Sequence, residues 1–290
     1  MDMNTINAFL EVAKYQSFSQ AAENLFVTQP AISKRITALE NELNVKLFNR
    51  INRSVTLTEA GYNLLPRFQA LRSEMEAIRR FSSDLSGSIS GKLTMGTSHH
   101  IGLRRLPPVL KHFNAHYPDV QLDIHFEDSE QACHAIEKGE LEIALVTLPT
   151  TIPEQLQTRT IWTDQLHIVT APGHPLHKKR DTVPLAELAS YPCVLPSKDT
   201  YTYRILQQRL TPYNVGLNVQ MSTNYIETLK MLVSSGFGWS LLPHTMLDNS
   251  IVTIPTDLAL ERTLGTVIHR KRILSNAARA MLKTINNFSD

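Results

Sequence analysis

At 290 residues the chain has room for two or three compact units with ordinary hydrophobic cores, so neither a structural metal nor a disulfide framework is required for stability. A formal charge of +2, from 29 Lys+Arg against 27 Asp+Glu, excludes reading nucleic-acid binding from overall charge; such a function must rest on local clustering. No apolar run approaches the length of a membrane span, and MDMNTINAFLEVAK has polar residues where a signal peptide needs an apolar stretch, so the chain reads as cytoplasmic.

Ile6, Phe9, Leu10 and Ala13 predict a first helix with a packing role. Phe18, Ala21, Ala22 and Leu25 fall at i, i+3, i+4 and i+7, one apolar face of a short second helix, and Ser17 with Gln20 has capping-box spacing at its start. After Phe26 and Val27, the Thr28 hydroxyl is placed to cap a third helix, and Pro30 is tolerated only in a first turn. Ile32, Ile36, Leu39 and Leu43 form the inner face of that helix and leave Gln29, Pro30, Ser33, Lys34 and Thr37 outward.

This pair of helices reads as a helix-turn-helix, whose second helix offers its N-terminal part to base edges in the major groove. Thr28 and the outward residues Gln29, Pro30, Ser33, Lys34 and Thr37 are therefore the expected DNA-facing set. Gln pairs bidentately with adenine, Ser donates or accepts, Lys reaches guanine or phosphate, and a Pro ring can touch a thymine methyl. Downstream, NRINRSVTLT reads as a turn between two short strands, a wing, with Lys46, Arg50 and Arg53 as phosphate-gripping cations. Between Thr28 and Arg53 the cations Lys34, Arg35, Lys46, Arg50 and Arg53 face only Glu40 and Glu42, so the basic footprint is local. The blander alternative, a helical subdomain with a solvated basic face, explains the helix pair alone.

In SFSQAAENLFVTQPAISKRITALE, LNVKLFNR and LTEAG, taken in that order, the chain resembles the LysR-type transcriptional regulators. The resemblance implies an α + α/β fold class: a winged helix-turn-helix over 1–58, a long dimerising linker helix and hinge over 59–91, and a two-lobed α/β effector-binding domain, built like a periplasmic binding protein, over 92–290. It further implies that the final helix returns to the first lobe (92–162 and 266–290), with crossovers near Thr163 and Thr266 bounding the second (163–265), and that the protein assembles as a dimer of dimers.

From Thr58 and Glu59, which suit a helix start, Leu64, Phe68, Leu71, Met75, Ile78 and Leu85 follow an alternating 4,3 spacing interrupted by Ser82. Such a narrow stripe predicts a coiled-coil seam to a second copy, with a bend near Pro66; an amphipathic helix covering its own domain is the alternative. Ser86, Gly87, Ser88, Ser90 and Gly91 then give a flexible hinge by composition.

Beyond Lys92 strands and helices alternate. Leu93–Met95 is a strand, Ile101–His116 a helix, Val120–Phe126 a strand, Gln131–Lys138 a helix and Ile143–Val146 a buried strand. The alternation resumes through Leu166–Val169, Cys193–Leu195, helix Tyr201–Leu210, Val219, helix Ile226–Ser234 and Trp239–Leu242, and closes with helix Asn276–Phe288. The pattern predicts parallel α/β sheets in two lobes with a cleft between them.

Ligands of open α/β sheets bind beyond strand C-termini, where helices begin. Thr97, Ser98, His99 and His100 follow the first strand; Thr147 and Pro149 follow the strand ending at Val146. Ser197, Lys198, Thr200, Tyr201, Tyr203 and Arg204 follow Cys193–Leu195, and Thr223 with Asn224 precedes the helix at Ile226. Each hydroxyl alone reads as an N-cap; their recurrence at corresponding strand ends points to a small-molecule cleft, and the resemblance places the inducer there. Helix N-termini with Lys198, His100 and Arg204 point to a small anionic effector.

His112 and His116 have metal spacing without a third ligand nearby, which leaves a surface helix as the stronger reading and no metal site. Cys133 and Cys193 read as reduced structural thiols, with a redox pair as the alternative. No G-x-S-x-G, H-E-x-x-H, Walker or G-x-G-x-x-G motif occurs, so the chain reads as a non-enzyme without a cofactor. The expected function is a ligand-responsive regulator of double-stranded promoter DNA, homo-oligomeric and off the membrane. The alternative is a cytoplasmic small-molecule receptor whose N-terminal helices make protein contacts.

Overall fold

The computed structural model describes residues 1–51, 54–84, 89–178 and 182–289. They fall into two compact units, Met1–Ser82 and Ser83–Asp290. Among the described residues no helix is long and apolar enough to cross a membrane.

The first unit runs α1 (Met3–Tyr15), α2 (Phe18–Asn24), α3 (Gln29–Leu43), β1 (Phe48–Ile51), β2 (Ser54–Leu57) and α4 (Glu59–Asp84). Asp2 and Thr5 close a reciprocal capping box on α1, and the Ser17 hydroxyl accepts from Gln20 N at the start of α2. Thr28 has the extended backbone of an N-cap, but its hydroxyl makes no capping hydrogen bond. Pro30 has no N–H to offer at the second position, and the amide of Ala31 at the third donates to the Thr28 carbonyl at 3.0 Å. Ile32, Ile36 and Leu39 are fully buried as the apolar spacing requires. They pack with Phe9, whose ring lies 5.4 Å from that of Phe48 and 5.1 Å from that of Phe68.

Phe68 comes from α4, so the amino-terminal half of the expected seam, Leu64 and Phe68, is spent on the domain's own core. Leu71 and Ile78 remain exposed and Met75 half-buried. The helix continues through Pro66, and Leu85 with the hinge residues 86–88 lies outside the described residues. β1 and β2 pair antiparallel, Phe48 opposite Leu57 and Ile51 opposite Ser54, and form the expected wing.

The second unit continues with β3 (Gly91–Thr97), α5 (His99–Arg104), α6 (Leu106–His116), β4 (Val120–Phe126), α7 (Ser129–Lys138), β5 (Ile143–Thr147), β6 (Leu156–Thr170), α8 (Leu185–Ser190) and β7 (Cys193–Leu195). There follow α9 (Tyr201–Leu210), β8 (Val219–Ser222), α10 (Ile226–Ser234), β9 (Ser240–Pro243), β10 (Val252–Thr253), β11 (Leu260–His269) and α11 (Asn276–Asn286). The single helix expected over Ile101–His116 is broken at Arg105, because Pro107 and Pro108 supply no amide to bond backwards into α5.

The main sheet has the order β10-β6-β11-β5-β3-β4, with β9 also on β6, while β7 and β8 pair separately. β3 is parallel to β4 and β5, whereas β6 and β11 are antiparallel to each other and β11 is antiparallel to β5. The sheet is therefore mixed, not parallel throughout as the alternation suggests. β6 and β11 run side by side from Leu156 opposite His269 to Leu166 opposite Leu260, long enough to serve both lobes. One lobe packs β3, β5, α6 and α11 around Phe113 and Met281; the other packs α8 and α9 around Trp239 and Leu206. Thr163 of β6 pairs with Thr263 of β11, and Thr266 pairs with both Arg159 of β6 and Leu145 of β5.

Candidate functional site

Two surfaces gather the residues singled out in the sequence. On the first unit Thr28, Gln29, Pro30, Lys34 and Thr37 are exposed and Ser33 half-buried along the outer side of α3, opposite its buried isoleucines. Gln29, Pro30, Ser33, Lys34 and Thr37 border one shallow hollow with Ala38 and Asn41. Arg50 of the wing sets its guanidinium 4.3 Å from the centre of the Phe18 ring and donates to the Ser33 hydroxyl at 3.4 Å. The wing is thereby tied to the outward face of α3. Arg53 lies outside the described residues.

Lys46, expected as a phosphate contact, pairs instead with Glu40 at 2.9 Å. Glu40 is buried and also accepts from Leu47 N at 2.9 Å and Phe48 N at 3.4 Å. Burial alone would raise its pKa, but Lys46 and the two amides outweigh that and hold the carboxyl below its ordinary value. Its role is to fasten the end of α3 to the first wing strand.

In the second unit a cavity of about 360 Å³ opens between the lobes. Ser98, His99 and His100 border it from the end of β3, Thr147 from the end of β5, and Thr200 and Asn224 from the starts of α9 and α10. Strand ends of one lobe thus meet helix starts of the other, as the α/β rule anticipates.

The other expected residues lie off the wall. Thr97 is buried, with its hydroxyl donating to Leu145 O at 2.9 Å, and Pro149 is buried beside β5. Tyr203 belongs to the second lobe's core, and Lys198 and Arg204 are exposed elsewhere. Ser197 and Thr223 support the loops: Ser197 N donates to Asn224 Oδ1 at 3.0 Å, and the Thr223 hydroxyl accepts from Tyr225 N at 3.4 Å. Tyr201 N donates to the Glu130 carboxylate across the cleft.

Sequence reasoning missed the contribution of β4. Its C-terminal end carries Phe126, Glu127, Asp128, Ser129 and Glu130 onto the wall, and the strand-end rule that selected β3 and β5 applies equally there. Asn224 Nδ2 donates to Asp128 Oδ2 at 2.7 Å, a second tie between the lobes. Burial raises the Glu130 pKa despite the amides that donate to it.

Arg262, from β11, was equally invisible. Its Nε and Nη2 donate to Asp164 at 3.3 and 3.0 Å, and Arg105 donates to the same buried carboxylate at 3.0 Å. Burial opposes ionisation of Asp164, yet the two guanidiniums prevail and lower its pKa. His100 lies beside this cluster, 3.8 Å from Asp164, with neither ring nitrogen hydrogen-bonded. Burial first and Arg262 second push its pKa down to about 4, which keeps the ring neutral at physiological pH.

Cys133 and Cys193 are buried free thiols, pushed up by burial to about 11 and about 12, so both stay protonated. The His112 and His116 rings stack with centres 4.0 Å apart, and among the described residues no group of three or more His, Cys, Asp or Glu is placed to hold a metal.

Comparison with known proteins accounts for both units. Residues 3–62 match the family model of the bacterial regulatory helix-turn-helix proteins of the lysR family, and residues 86–289 match that of the LysR substrate binding domain. A probable RuBisCO transcriptional regulator of Thalassiosira pseudonana is 29% identical over 278 residues, 91% of this chain and 90% of that protein. Full-length OxyR of Pseudomonas aeruginosa is similar in fold, with a TM-score of 0.71 at 20% identity over 100% of this chain and 96% of its own. CbnR in complex with its target DNA gives 0.69 at 16% identity over 100% of both chains. The helix-turn-helix, its wing and the two-lobed domain that follows are thus matched together, and the chain belongs to the LysR family of transcriptional regulators, not to a family of enzymes.

Proposed function

We propose that this regulator reads promoter DNA with the outward side of α3, grips the backbone through Arg50, and responds to a small molecule held in the interlobe cavity. One observation carries the DNA reading: Gln29, Lys34 and Thr37 stay exposed on the same helix whose opposite face is fully buried, with a wing cation against Ser33. CbnR, of similar fold, has been seen on its target DNA. Phosphate contacts would set register and Gln29, Ser33 and Lys34 would sort bases. A DNA-reading role puts the protein in the cytoplasm, and the exposed Leu71 and Ile78 of α4 supply a seam for a dimer, with a dimer of dimers as the larger assembly.

The effector reading is supported by the cavity bordered from both lobes. Its ties, Asp128 to Asn224 and Glu130 to Tyr201 N, join the two lobes directly. A ligand that binds one lobe arrangement better than another shifts that equilibrium and, in an oligomer, the spacing of the DNA-reading heads. Of the grounds for an anionic effector, Lys198 and Arg204 lie off the wall and His100 is neutral, which leaves the helix N-termini at Ser129, Thr200 and Ile226 as its support.

Gel shifts across a salt series test the proposal. The protein should prefer its own promoter region to random DNA, with affinity falling steeply as salt rises. Equal affinity for both at every salt concentration would count against a reading role.

A further inference from the structure

If the interlobe cavity is the effector site, its wall indicates which chemistry the effector carries. Three carboxylates stand on that wall, Glu127, Asp128 and Glu130, against one guanidinium, Arg262. Arg262 directs Nε and Nη2 at Asp164, a carboxylate outside the cavity that it shares with Arg105, and Nη1 at the Thr202 hydroxyl, 3.4 Å away, so each of its three nitrogens already has a protein partner.

Two independent features sit beside the acids. His100, on the same wall, is only 4% exposed and has no hydrogen-bond partner at either ring nitrogen. A buried imidazole left in this state lacks the partner such groups ordinarily find. Phe126 and Tyr225 also border the cavity while 55% and 58% exposed, and the His99 ring meets them edge-on at 6.3 and 5.5 Å. Aromatic faces carry negative charge density and attract cations.

Helix capping accounts for part of the acidity. Asp128 occupies the N-cap of α7 and Glu130 its first turn, where carboxylates complement the helix dipole. Glu127 lies outside the helix, with the exposed His125 3.7 Å away, and neither the aromatic rings nor the unpartnered His100 follows from capping.

We infer that the effector is a small organic cation, a protonated amine held at Glu127 and Asp128, with its carbon skeleton against Phe126 and Tyr225 and a hydroxyl or carbonyl that reaches His100. This rests on the cavity being the effector site, and it replaces an anion by a cation.

Calorimetric titration of the full chain with matched trios tests it: benzylamine, benzyl alcohol and benzoate, then butylamine, butanol and butyrate. An amine should bind at least about tenfold tighter than the carboxylate of the same skeleton. Glu127→Gln should weaken the amine about fivefold or more without weakening the carboxylate. Should that variant not fold, Tyr225→Leu, at an exposed position, should weaken the amine more than the alcohol. Tighter binding of the carboxylates overturns the inference, as do amines whose affinity neither variant changes and a set in which nothing binds at about 10 mM. Carboxylates that bind best and lose affinity in Thr200→Val would discard the amine yet keep the cavity as effector site. A compound that alters DNA binding while insensitive to every cavity variant would discard both.

Discussion

Arg50 and Ser33 meet at 3.4 Å, guanidinium to hydroxyl, and this contact couples a wing cation to a position of α3 that we propose reads bases. Arg50→Ala should weaken cognate and random DNA alike and lower the salt slope by about 1, while Ser33→Ala should relax base preference by about 1–3 kcal/mol at one position. Because the two side chains touch, their effects should not add. A double-mutant cycle on operator binding should give a coupling above about 0.5 kcal/mol, and an additive result would mean the contact does not persist on DNA.

Glu40 is a buried carboxylate that serves two backbone amides and one lysine. Glu40→Ala removes the acceptor from Leu47 N and Phe48 N and should cost about 1–3 kcal/mol for each amide left unsatisfied. Glu40→Gln keeps one acceptor oxygen and should cost less. The thermal transition of the DNA-binding unit measures both, and an unchanged midpoint in the alanine variant would refute the fastening role.

Asp164→Asn leaves Arg262, 5% exposed, without its counter-charge. Breaking a buried pair in this way should destabilise the effector-binding unit by about 3–5 kcal/mol. The double replacement Asp164→Leu with Arg262→Met should recover much of that loss, because Arg105 is partly exposed and can turn to water. Urea denaturation of the full chain, followed at the transition of this unit, distinguishes the two outcomes.

His100 gives the effector-binding unit a pH dependence of defined sign. Its folded pKa, about 4, lies below the ordinary 6.5, so the unfolded chain binds the proton more readily between those values. The associated stability is complete above about 6.5 and falls as pH drops toward about 4, by up to about 3 kcal/mol. His100→Gln should flatten the slope in this window, although His167, His174 and His269, also lowered by burial, leave a residue of it. The lowered Asp164 pKa acts in the same direction, but only below the ordinary carboxylate range. A slope unaltered by the substitution would show that His100 is protonated alike in both states.

Leu71 and Ile78 are 38% and 55% exposed on α4, whereas Phe68 on the same helix is buried at 5%. Leu71→Asp together with Ile78→Asp should convert the oligomer to monomers in sedimentation experiments while the DNA-binding unit stays folded, since a charge in an apolar seam has no partner. An oligomer of unchanged mass would place the interface elsewhere.

What the sequence by itself determined was local. The outward and inward faces of α3, the wing, and the bounds of β4, α9 and α10 are encoded in spacings of three, four or two residues and in where Pro can stand, so a few neighbours suffice to read them. The strand-end rule also located Ser98, His99, His100, Thr147, Thr200 and Asn224 on one cavity, although it overlooked the end of β4, where it applies as well. Only the tertiary structure decided that β6 and β11 pair along both lobes, that Arg262 reaches Asp164 from 98 residues away, and that Glu130 meets the start of α9. Those relations depend on which strands lie side by side after the sheet closes, and no periodicity within either segment carries that information. The charge of the cavity follows from the same cause, since the carboxylates at the start of α7 and the Arg262 guanidinium of β11 come from segments that meet only in three dimensions.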